Sequence, residues 1–123
     1  MFFHFRPGEF WGSLQIGLTP EADQVADRLK DMGAFREKQD AARFAIALAI
    51  NEGVPAGQTE GTDTRYASNS FDDGELVALV SVLYPEARET PFRVIEHMMN
   101  QGLLLIGDGG VDRVADLIDL VEG

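Results

Sequence analysis

Glu37-Lys38-Gln39-Asp40-Ala41-Ala42-Arg43-Phe44-Ala45-Ile46-Ala47-Leu48-Ala49-Ile50-Asn51-Glu52-Gly53 is the stretch that decides the fold class. Ala41, Phe44, Ala45, Leu48 and Ala49 recur at i, i+3, i+4 spacing, which predicts a helix from about residue 37 to residue 51 or 52. Ala42, Ile46 and Ile50 widen the stripe until most of the circumference is apolar. A helix of that kind belongs at the centre of a fold or in a dimer interface. Gly53 closes it, and Pro55 prevents its continuation.

Upstream, residues 13–19 alternate polar and apolar side chains, the period of a strand, with Leu14, Ile16 and Leu18 on one face and Gly17 interrupting the other. Thr19-Pro20-Glu21 marks a helix start. Threonine caps free N–H groups, proline suits the first turn, and Glu21 and Asp23 complement the dipole. Val25, Leu29 and Met32 follow at helical spacing, and Gly33 ends that helix. Downstream, residues 56–64 lack an apolar anchor and are expected to form a mobile loop. The run Leu76, Val77, Leu79, Val80, Val82 and Leu83 predicts a buried helix stopped at Tyr84-Pro85. Thr90-Pro91 repeats the earlier start signal. The helix it opens is expected to bury Phe92, Ile95, Met98 and Met99 and to terminate at Gly102. Leu103 to Ile106 form either a strand or an extension of that helix. Asp108-Gly109-Gly110 reads as a turn, and residues 111–121 carry Val114, Leu117, Ile118 and Val121 at helical spacing. The expectation is a single, mainly α domain over residues 1–123, with four or five helices, one or two short strands and an N-terminal extension at 1–12. Its core should include Leu29, Phe44, Ile46, Leu48, Leu79, Val80, Leu83, Phe92, Ile95 and Leu103.

A length of 123 residues suits one domain with one core. Cysteine is absent, which excludes disulfide scaffolds, cysteine-ligated metals and cysteine nucleophiles. The net charge is −11, and it is unevenly spread. Residues 1–59 hold 8 acids and 6 bases, a net of −2, whereas residues 60–123 hold 13 acids and 4 bases, a net of −9. Five of the bases, Arg28, Lys30, Arg36, Lys38 and Arg43, form an island. No apolar run approaches the roughly 18–20 residues of a membrane span. Residues 1–7 place their positive charge after the apolar part, unlike a secretory signal. The expected location is the cytoplasm, with no membrane contact.

The sequence contains no catalytic constellation. Gly107-Asp108-Gly109-Gly110 lacks the lysine and hydroxyl residue of a phosphate loop. Residues 69–80 place Gly74 as an EF-hand does, but Phe71 and Val80 stand where oxygen ligands are needed. His97 has no second histidine one turn away, and neighbouring Glu96 points about 100° from it on a helix. Asp72, Asp73 and Glu75 form an acidic cluster before a helix, suited to a partner-binding face. No cofactor, metal or enzymatic activity is expected.

Two family resemblances follow from these residues. The unit at 13–53, with Leu14-Gln15-Ile16-Gly17-Leu18-Thr19 as the strand, residues 21–32 as the first helix and Ala42-Arg43-Phe44-Ala45-Ile46 at the head of the second, resembles the ribbon–helix–helix family. That resemblance implies dimerisation by strand pairing and DNA contact through Ser13, Gln15 and Gly17, supported by Arg28, Lys30, Arg36, Lys38 and Arg43. Gln15 is suited to adenine, although no basic residue accompanies it on the strand. Residues 28–106 also resemble small accessory proteins encoded beside bacterial DNA-phosphorothioation (Dnd) systems. The shared features are Phe35, then Asp40-Ala41-Ala42-Arg43-Phe44-Ala45-Ile46-Ala47-Leu48 leading to Gly53, and later Ile95-Glu96-His97-Met98-Met99-Asn100-Gln101-Gly102-Leu103.

The functional expectation is therefore a non-enzymatic accessory module of a DNA-modification or defence system, with a ribbon–helix–helix regulator or antitoxin as the alternative. The expected contacts are a protein partner and further copies of the chain, in a dimer or higher oligomer. DNA contact should be weak or indirect.

Overall fold

A computed structural model describes residues 15–67, 75–87 and 89–109. The described part is mainly helical, as expected, with four helices and one small sheet. Strand β1 (Gln15–Leu18) leads into helix α1 (Pro20–Asp31) and helix α2 (Lys38–Asn51). Strand β2 (Thr64–Ala67) precedes helix α3 (Glu75–Leu83), a single 3-10 turn at Pro85–Ala87, and the long helix α4 (Pro91–Gly109). The predicted helix at 111–121 lies outside the described residues, as does the extension at 1–12.

The local signals at α1 act as the sequence implies. The Thr19 side chain accepts from the Ala22 N–H, Pro20 occupies the first turn, and Gly33 takes the left-handed conformation at φ +82° just beyond the end. Ala22, Val25, Ala26 and Leu29 are buried. Met32 is not on that core face. It is the C-cap, where the helical phase has ended, and it is 46% exposed.

Helix α2 is the centre of the molecule. Ala41, Ala42, Phe44, Ala45, Ile46, Leu48 and Ala49 are all buried, with α1 and α4 packed on it. Its apolar breadth is thus covered largely within one chain. The Phe44 ring lies against Phe35, with centroids 5.5 Å apart. Gly53, at φ +77°, ends the helix.

Helix α4 does not stop at Gly102. It runs to Gly109, so Leu103 to Ile106 extend it, and Asp108 and Gly109 are helical rather than part of a turn. The glycine serves packing instead. A Cβ at Gly102 would lie 2.0 Å from the Ala45 carbonyl oxygen, so α2 and α4 touch there through their backbones.

Strands β1 and β2 pair antiparallel, with Ile16 opposite Tyr66 and Leu18 opposite Thr64. Ile16 and Leu18 are fully buried, as the alternation predicts. Thr64, expected to be loop, begins β2. The other edge of β1 faces α4, which supplies side chains in place of a third strand. Glu96 Oε2 accepts from the Gly17 N–H at 2.8 Å. Asn100 donates through Nδ2 to the Gly17 carbonyl at 3.0 Å and accepts through Oδ1 from the Thr19 N–H at 2.8 Å. The carboxamide thus offers one donor and one acceptor, as a neighbouring peptide would. Arg93 Nη1 donates to Glu96 Oε1 at 2.9 Å, and Glu96 and Asn100 are both buried. No buried side-chain polar atom lacks a partner among the described residues, as stable interiors require.

Helix α3 departs furthest from expectation. Of its residues only Val80 is buried, while Leu76 and Val77 are half-buried. Leu79 is 45% exposed, Val82 76% and Leu83 46%, so Leu79 and Leu83 do not belong to the core. Past Glu75 the helix has no charged residue, and among the described residues only the side holding Val80 is fully buried.

Candidate functional site

The apolar surface left open gathers on α3 and the adjoining wall of α2. On α2 the groove is lined by exposed Arg43 and Ala47, half-buried Ile50 and buried Ile46, spaced i, i+4, i+7 and i+3 along one face. Opposite it stand Glu75, Leu76 and Leu79 from α3. These seven residues line an open groove of about 500 Å³. On α3 the exposed residues Glu75, Ala78, Leu79, Val82 and Leu83 follow i, i+3, i+4, i+7 and i+8, so they form a single stripe. Past Glu75 that stripe carries no charge. Isolated exposed apolar side chains are ordinary, whereas a contiguous stripe beside a groove marks an interaction surface.

The basic island is divided rather than gathered. Lys38 lies between Asp23 at 2.5 Å and Asp27 at 2.9 Å, tying the start of α2 to α1. Arg43 lies 3.8 Å from Asp40 and lines the groove. Arg28 and Lys30 are exposed near the end of α1, and Arg36 is exposed in the connection to α2. Gln15 is placed in β1 through its backbone pairing with Ala67, and its side chain lies outside the description. Gly17, expected on an outward face, is buried. Strand, helix and helix follow one another as in a ribbon–helix–helix unit. However, β1 is paired with β2 of the same chain, and its other edge is occupied at Gly17 and Thr19 by Glu96 and Asn100. A strand from a second chain would have to displace one of these partners.

In the acidic cluster, Asp72 and Asp73 lie outside the described residues. Glu75 is exposed at the first turn of α3, on the groove. Among the described residues no three His, Asp or Glu side chains are grouped to hold a metal ion. His97 is half-buried, its Nδ1 3.0 Å from the Thr59 hydroxyl and its ring against Gly57. Burial lowers its pKa below the ordinary value of 6.5. Glu96 and His97 therefore diverge, as the helical geometry predicted.

The groove was not foreseen from sequence. Its signal is the eight-residue run after Glu75, which contains no charged side chain and so looks like a buried helix. Among the described residues no helix is long and apolar enough to cross a membrane. Comparison of the chain with protein-family models, with curated proteins and with solved structures finds no match.

Proposed function

We propose that this chain is a non-enzymatic interaction module, a cytoplasmic accessory protein of a bacterial DNA-modification or defence system that works through protein contacts. The observation that carries the interaction role is the uncharged stripe of α3 beside the α2–α3 groove. An open groove between two helices, lined mostly by apolar side chains, suits an apolar helix laid in it, one of the recurring modes of protein recognition. The side chains most capable of chemistry support the same role by their engagement elsewhere. Glu96 and Asn100 hold β1, and Lys38 holds α1 to α2. The assignment to a DNA-modification system rests on the resemblance of residues 28–106 to the Dnd accessory proteins. The second half of the chain, at −9, suits a basic surface on a subunit of that system, with association faster at low salt.

The test is calorimetric titration of the purified chain against each purified subunit encoded beside it, and against random duplex DNA. Saturable binding to one subunit, weakened by salt, is expected, with none to the duplex at physiological salt. Submicromolar binding to duplex that Arg36→Ala with Lys38→Ala abolishes would replace the proposal with a DNA-binding regulator.

A further inference from the structure

We draw no further inference here: the strongest candidate, the exposed apolar stripe of Leu79, Val82 and Leu83 on α3 beside the α2–α3 groove, belongs to the site already described, and nothing in the structure shows what covers it.

Discussion

Asn100 carries more of the architecture than its size suggests. One carboxamide satisfies the Thr19 N–H and the Gly17 carbonyl, and it donates as well to the Glu96 carbonyl one turn back on its own helix. Asn100→Leu would keep the volume and take these partners from the buried Gly17 carbonyl and the partly buried Thr19 N–H. Each such group costs about 1–3 kcal/mol, so the substitution should destabilise the fold by roughly 2–5 kcal/mol. A fall in the urea midpoint of the transition checks this. Asn100 was not legible from sequence as a polar clamp. An amide at the end of an apolar helix pattern gives no sign of partners eighty residues away. His97 gives a pH-dependent counterpart. Its folded-state pKa is lowered by burial, so the folded chain favours the neutral ring and the unfolded chain takes up a proton first. The stability it contributes is complete above pH 6.5 and is lost as pH falls through the lower folded-state pKa. His97→Gln should flatten this part of the stability profile, measured as the difference between the two chains on acidification below pH 6.5.

Among the elements, the crossing of α2 and α4 is the tightest contact. At Gly102 even a methyl group meets the Ala45 backbone, which cannot rotate aside. Gly102→Ala should therefore destabilise by about 3 kcal/mol or more, since overpacking here must separate two helices. Thermal unfolding measures it, and an unchanged melting temperature would refute the crossing. The same residue shows where sequence reading reaches its limit. Glycine after an apolar helix face looks like a terminator, and only the helix lying opposite reveals it as a point of close approach. The starts of α1 and α4 were legible because their signals are local: Thr-Pro pairs act within one turn. The burial of α2 was legible because its stripe is broad and interrupted by Arg43 and Asp40. Helix α3 gave no such contrast. A run of apolar residues fixes the helix but does not say which side lies against the body, and Leu79 and Leu83 were assigned to the core on that ground. Strand β2 is set by its pairing with β1, and its four residues carry no pattern long enough to read alone.

For the whole molecule, charge decides which macromolecules can approach. Lys38 is held between two carboxylates, and the exposed Arg28, Lys30 and Arg36 stand among Asp27, Asp31 and Glu37. Neutralising several phosphates requires cations free of such neighbours. At about 150 mM salt the chain should bind random duplex no more tightly than roughly 1 µM. A gel shift or anisotropy titration with labelled duplex checks this, and tight binding would show that the −11 of the chain is locally overcome.

The sealed edge of β1 has a consequence for the order in which the protein can be completed during synthesis. The strand is made early, at residues 15–18, while the side chains that close its edge stand at 96 and 100. Until α4 has left the ribosome, Gly17 and Thr19 present bare backbone groups, the kind of edge through which nascent chains stick to one another. The first half of this protein thus waits on the second to become safe from aggregation, and a chain truncated before residue 96 should be captured by chaperones or found in inclusion bodies.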